Sequence, residues 1–172
     1  NLPLTVSKVT ENNVIKVYYV KDNFDYTVEY YYDGRLDDSK TETINATYQD
    51  VISTYTDKNI TGYRLDRTEN LPLPVSEITE NNVIKVYYVK DNFNYTVEYY
   101  YDGIIEDRST DVITATYMDV IENYEDKNIT GYRLEKTENL PLTVSEDETT
   151  NVITVYYVKD NFDYSVEYYY DG

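Results

Sequence analysis

The chain is 172 residues long, with 15 Lys plus Arg against 33 Asp plus Glu, 24 Tyr, and no His, Cys or Trp. Lacking His and Cys, it has no imidazole base, thiolate nucleophile, His or Cys metal site or disulfide, so carboxylates, hydroxyls, Lys and Arg are the available chemistry. A formal charge of -18 opposes nucleic acid and anionic lipid, which are held by Lys and Arg at phosphate, and no nucleic-acid partner is expected.

Leu, Met and Phe are scarce, so a core has to be built from Val, Ile and Tyr, the stiff and flat side chains that favour strands. No apolar run reaches the roughly 18 residues of a membrane span, which argues against direct membrane insertion. No signal-peptide pattern opens the chain, so any export signal or anchor is expected outside these residues.

Self-similarity dominates everything else. The string YTVEYYYDG begins at Tyr26 and Tyr95 and returns with Ser for Thr at Tyr164; NLPL begins at Asn1, Asn70 and Asn139; DKNITGYRL begins at Asp57 and Asp126. Each marker gives a period of 69 residues, and 48 of 69 positions are identical between Tyr26 to Asn94 and Tyr95 to Asp163. The chain therefore divides into 1–25, the closing half of a repeat and a linker; 26–94 and 95–163, two complete repeats; and 164–172, an opening strand. Opening and closing in mid-period, it reads as part of a longer array.

In chain order, Asn13 to Val20 (NVIKVYYV) alternates and predicts a strand. Lys16 and Lys85 become Thr154 in the third copy, while Ile15, Val17 and Tyr19 recur unchanged, so the unchanged set is expected in the core. The polar Lys21 to Asp25 (KDNFD) predicts a five-residue connection, repeated at Lys90 to Asn94. In the next strand Tyr26, Val28, Tyr30 and Tyr32 point inward and Thr27, Glu29 and Tyr31 outward, and its Asp33-Gly34 end predicts a tight turn. The alternating stretch of Ile44, Ala46 and Tyr48 predicts a further strand, Asp50 to Tyr55 one or two helical turns capped by Asp50, and Tyr63 to Leu65 another strand. The fold class is thus mainly β, α+β at most, with about four or five strands per repeat.

The succession of YTVEYYYDG, a polar stretch, DKNITGYRL and a closing VIKVYYV resembles the MucBP (mucin-binding protein) repeat of Gram-positive bacterial surface proteins. The resemblance covers Tyr26 to Val89 and Tyr95 to Val158, with partial units at each end. It implies tandem small β-grasp-like units in an extended rod, a place at the cell surface or cell wall within an adhesin, and mucin or another glycoprotein as partner.

Tyr18, Tyr31, Tyr87 and Tyr100 fall on the wet faces and are the candidate ligand-binding residues, because an exposed phenol ring can stack on a sugar. The plainer reading of the Tyr clusters is core and cross-strand cover. Asp33, Asp37 and Asp38, and likewise Asp102, Glu106 and Asp107, offer oxygen ligands near a turn and are the candidates for Ca²⁺, although their spacing is not that of an EF-hand and a solvated acidic loop is the plainer account. No other cofactor is expected. No paired-carboxylate or nucleophile pattern points to an enzyme.

Two functions stand: an adhesin stalk whose neighbouring repeats restrain one another and multiply weak contacts, and a filament that self-associates by strand addition. The repeat 26–94 carries 7 basic and 12 acidic residues (net -5) and 95–163 carries 5 and 16 (net -11). Surface charge varies between copies while the core pattern does not, as a spacer permits.

Overall fold

A computed structural model describes residues 3–58, 60–127 and 129–171, with 106–109 described by their backbone alone. The first repeat contributes β1 (Asn23–Tyr32), β2 (Arg35–Leu36), β3 (Glu42–Thr47), β4 (Val51–Ile52), β5 (Tyr63–Glu69), β6 (Leu73–Pro74) and β7 (Val83–Lys90). The second contributes β8 (Asn92–Tyr101), β9 (Ile104–Thr116), β10 (Val120–Ile121), β11 (Tyr132–Glu138), β12 (Leu142–Thr143) and β13 (Val152–Lys159). The helical elements among the described residues are two 3-10 turns, Thr10–Asn12 and Thr79–Asn81. The protein is mainly β.

The sheets run β2-β1-β7-β5, with β3 also on β1, and β11-β13-β8-β9; two short ladders, β4-β6 and β10-β12, stand apart. The opening strand β8 and the closing strand β13 lie side by side and parallel, from Val152 opposite Thr96 to Tyr157 opposite Tyr101. Residues so far apart in sequence come together because both strands carry a full apolar face. Tyr95, Val97, Tyr99, Tyr101, Ile153, Val155 and Tyr157 form one cluster with Leu142. In the first repeat Tyr26, Val28, Tyr30, Ile84, Val86 and Tyr88 are buried in the same alternation.

The chain separates into two compact units, Asn1–Tyr31 with Arg35–Asp57 and Arg67–Tyr87, and Tyr32–Gly34 with Lys58–Asp66 and Tyr88–Gly172.

Buried phenols need partners, and the polar loops after β4 and β10 supply them. Tyr30 donates to the Thr56 carbonyl at 2.6 Å, and Tyr99 to the Glu125 carbonyl at 2.7 Å. The Tyr88 and Tyr157 hydroxyls accept the Lys58 and Lys127 backbone N–H groups at 3.2 Å each, and Tyr157 donates to Asp126. Burial first, and then the Asp126 carboxylate, push the Tyr157 phenol well up from its usual range.

Four expectations are corrected. Asn13 to Val20 forms no strand, and Ile15, Val17 and Tyr19 are exposed at 48%, 65% and 92%. The equivalent segments β7 and β13 are strands because each lies between an opening strand and β5 or β11. Alternation alone does not make a strand of Asn13 to Val20, beside which no strand lies among the described residues. Tyr164 to Tyr170 is likewise outside any strand, with Tyr168, Tyr169 and Tyr170 at 77%, 79% and 86% exposure.

Asp50 to Tyr55 makes no helix. Val51 and Ile52 pair antiparallel with Pro74 and Leu73, and Asp50 closes a turn by accepting the Thr47 N–H at 3.3 Å beside Gln49 at φ +67°. Nor is the connection at Lys90 to Asn94 five residues long, since β7 ends at Lys90 and β8 starts at Asn92. Asp91 alone intervenes, its N–H bonded to Gly62 O and its carbonyl to Tyr117 N, each at 2.8 Å.

Candidate functional site

On the outward face of the first sheet, alternation brings Glu29 and Tyr31 of β1, Lys85 and Tyr87 of β7, and Arg67 and Glu69 of β5 to the same side. The Tyr31 and Tyr87 rings stack with centroids 4.8 Å apart and planes inclined by 22°. The Arg67 guanidinium carbon lies 3.9 Å from the centre of the Tyr87 ring, and Lys85 Nζ lies 5.9 Å from that of Tyr31. Each hydroxyl is fixed by a carboxylate: Tyr31 donates to Glu29 Oε2 at 2.6 Å and Tyr87 to Glu69 Oε2 at 3.1 Å. Glu69 also accepts Arg67 Nε at 3.2 Å.

The outward face of the second sheet repeats the arrangement. Tyr100 stacks on Tyr156 at 5.2 Å and 28°, and Lys136 Nζ stands 4.4 Å from the Tyr156 ring centre. Tyr100 donates to Glu98 and Tyr156 to Glu138, each at 3.2 Å, while Lys136 donates to Glu138 Oε1 at 2.6 Å. A substituted cation, Lys136 for Arg67, thus occupies the same role over the same ring.

The electrostatics follow from these contacts. The bond to Glu29, reinforced by burial, pushes the Tyr31 phenol up to about 12. Tyr100 is raised by its bond to Glu98, and Tyr156 by burial and then by Glu138. The Lys136 ammonium holds the Glu138 carboxyl below its usual range and is itself raised. The Tyr31, Tyr100 and Tyr156 phenols therefore stay neutral at physiological pH, and a cation lies over one ring of each stacked pair. Such a surface can take a sugar's C–H face on the ring that the Arg67 or Lys136 cation does not cover, Tyr31 or Tyr100, and its hydroxyls on the flanking carboxylates and cation. Beside Tyr31 in the first repeat runs an open hollow of about 820 Å³ lined by Glu29, Asn70, Pro72 and Lys85 among others.

Of the residues singled out from sequence, Tyr31, Tyr87 and Tyr100 lie in these stacked pairs, whereas Tyr18 lies outside any strand at 83% exposure. Tyr156, Arg67 and Lys136 were missed. Tyr156 stands 69 residues beyond Tyr87, so the period itself was the signal.

Among the described residues no three carboxylates form a set able to hold a metal ion. Asp37 accepts Ser39 N–H at 3.1 Å, Ser39 Oγ at 2.6 Å and Lys40 Nζ at 3.0 Å, bonds that hold its carboxyl below the usual range. Asp33 accepts the Tyr63 hydroxyl at 3.1 Å. Asp102 pairs with Lys159 at 3.0 Å, which likewise lowers its carboxyl. Asp38 is exposed, and the side chains of Glu106 and Asp107 lie outside the described residues.

No family model matches this sequence, and no curated protein matches it. A solved structure described as "Crystal structure of Mub-RV" is similar over 80% of this chain and 99% of its own, at 15% identity and a TM-score of 0.32.

Proposed function

We propose that the chain is a non-enzymatic tandem repeat of a bacterial cell-surface protein, an extended spacer within an adhesin whose repeats each make weak contacts with mucin or other host glycans. The observation that carries this reading is the recurrence, one period apart, of a stacked tyrosine pair with a cation over one ring and a carboxylate on each hydroxyl. The sequence resemblance to MucBP repeats points the same way, and the parallel pairing of opening and closing strands agrees with a β-grasp-like unit.

Weak sites on one chain gain from effective concentration when their spacing suits the target. Loss of either site should then cost more than half of the binding. On immobilised mucin glycoprotein, Tyr31→Ser or Tyr100→Ser alone is expected to weaken binding about tenfold or more, and the double variant to abolish it. Wild-type binding by the double variant would sink the glycan reading.

The spacer part of the reading has its own test, small-angle scattering over a concentration series. A rod of constant length is expected. Particles that lengthen with concentration would mark a self-assembling filament instead, and compact particles would rule out a stalk.

A further inference from the structure

Gly62 belongs to the first sequence period and Tyr117 to the second, yet both lie in the second compact unit and they touch. Gly62 is buried with φ +74°, and a Cβ built on it would collide with ring atoms Cγ, Cδ1 and Cε1 of Tyr117. Only a residue without a side chain can lie flat on that ring. The neighbouring Tyr63 meets Tyr117 edge-on at 6.2 Å and 70°, and Phe93 meets it at 6.1 Å and 68°. Asp91 threads the same spot, bonded through its N–H to Gly62 O and through its carbonyl to Tyr117 N, while its carboxylate pairs with Arg64 at 3.4 Å.

The same residues one period away show each half of this arrangement alone. Phe24 and Tyr48 make the same edge-on corner, 6.0 Å and 68°, and Asp22 O accepts Tyr48 N at 2.8 Å. A hollow of about 350 Å³ opens beside them, lined by Val20, Lys21, Asp22 and Glu77. Gly131, φ +85°, has its carbonyl bonded to Asp160 N at 2.8 Å just as Gly62 has to Asp91, but a Cβ on it would meet nothing within 4 Å.

We infer that the Phe93–Tyr117 corner is an interaction surface whose partner is the Thr61-Gly62-Tyr63 turn of the preceding repeat, and that this plug and seat couple consecutive repeats into one cooperative array. The Phe24–Tyr48 corner is a seat of the same kind and fits a Thr-Gly-Tyr turn of another repeat. The inference stands on contacts that exclude the stacked Tyr31 and Tyr100 faces, so it holds whatever the chain binds.

The repeats supply their own control. Gly62→Ala and Gly131→Ala impose the same positive-φ strain, but only the first drives a methyl group into a ring. Hydrogen exchange read by NMR on the whole chain should show the Asp91 and Tyr117 amides exchanging about tenfold faster in Gly62→Ala, while the Asp160 amide in Gly131→Ala moves by less than about twofold. Tyr117→Leu should reproduce the loss of protection at Asp91, whereas Tyr48→Leu should leave Asp91 unchanged. Equal effects of the two alanine substitutions on their own amides, or an Asp91 amide indifferent to Tyr117→Leu, would overturn the inference.

Discussion

Replacing Asn151 with Leu is expected to destabilise the second sheet by about 3–5 kcal/mol, the sum expected from leaving several buried backbone groups without partners. Asn151 is 1% exposed and almost all of its amide is used. Its Nδ2 donates to the Asn94 carbonyl at 3.1 Å and the Ser145 carbonyl at 2.8 Å, and its Oδ1 accepts the Ser145 N–H at 2.9 Å. The side chain thereby fastens the loop before β13 to the start of β8, next to the ladder bond from Thr96 N to Asn151 O at 2.8 Å. Leu fills the space but satisfies none of the three groups. Asn151→Asp keeps the acceptor but aims a carboxylate at two carbonyls, so it should be nearly as damaging at neutral pH and recover in part on acidification, when a protonated carboxyl regains one donor. Urea unfolding followed by circular dichroism at two pH values tests both. A Leu variant within about 1 kcal/mol of wild type would show that the amide network contributes little net stability.

Asn82 makes the same bonds to Ser76 and to the Asp25 carbonyl, and Asn13 makes the Ser7 pair. A Ser and an Asn six residues apart therefore recur three times in the sequence, but neither residue type announces burial, and both lie outside the strands. That is why these residues escaped a reading based on alternation. The inward set Tyr26, Val28, Tyr30 and its counterparts was legible because a period of two identifies one face and the differences between copies identify the wet one.

Pairing between strands was not legible in this way. The stacked pairs Tyr31–Tyr87 and Tyr100–Tyr156 join residues 56 apart in sequence, and nothing local says that an opening strand and a closing strand are parallel neighbours. The same non-locality explains Asn13 to Val20, whose pattern is that of β7 and β13 but with which no strand pairs among the described residues. The acidic stretch after the Asp-Gly turn also differs between copies. Asp37, Ser39 and Lys40 tie a turn between β2 and β3, with Lys40 N bonded to Asp37 O at 3.1 Å, where the second repeat runs on as the single strand β9.

Truncating Tyr99 to Ala is expected to cost about 3–5 kcal/mol, and Tyr99→Phe about 1–2 kcal/mol, and the difference separates the ring from its hydroxyl. Tyr99 is fully buried, 6.3 Å from Tyr124 edge-on and 6.5 Å from Tyr157 in a stack that continues from Tyr157 to Tyr101 at 5.3 Å. Ala would leave a void where the core has a ring, and the side-chain packing of β8, which carries it, against Tyr157 of β13 would be lost. The hydroxyl makes a second contribution, lying 2.7 Å from the Glu125 carbonyl and 3.1 Å from Asp111 Oδ2, whose charge is balanced by Lys127 Nζ at 2.8 Å. Burial first and Asp111 second raise the Tyr99 phenol well above its ordinary range. An acid whose folded pKa is raised stays neutral in the fold, so its stabilisation is complete below the unfolded phenol value of about 10 and is lost as pH climbs from there toward the folded value. Alkaline unfolding should accordingly begin above about pH 10, with tyrosinate absorbance rising in step with loss of the β signal in circular dichroism. Tyr99→Phe removes one such proton from the unfolding equilibrium and should make the decline in stability with pH shallower even though the variant starts less stable. An unchanged slope would mean that the Tyr99 phenol titrates alike in the folded and unfolded chain, and burial beside Asp111 would then not be what keeps it neutral.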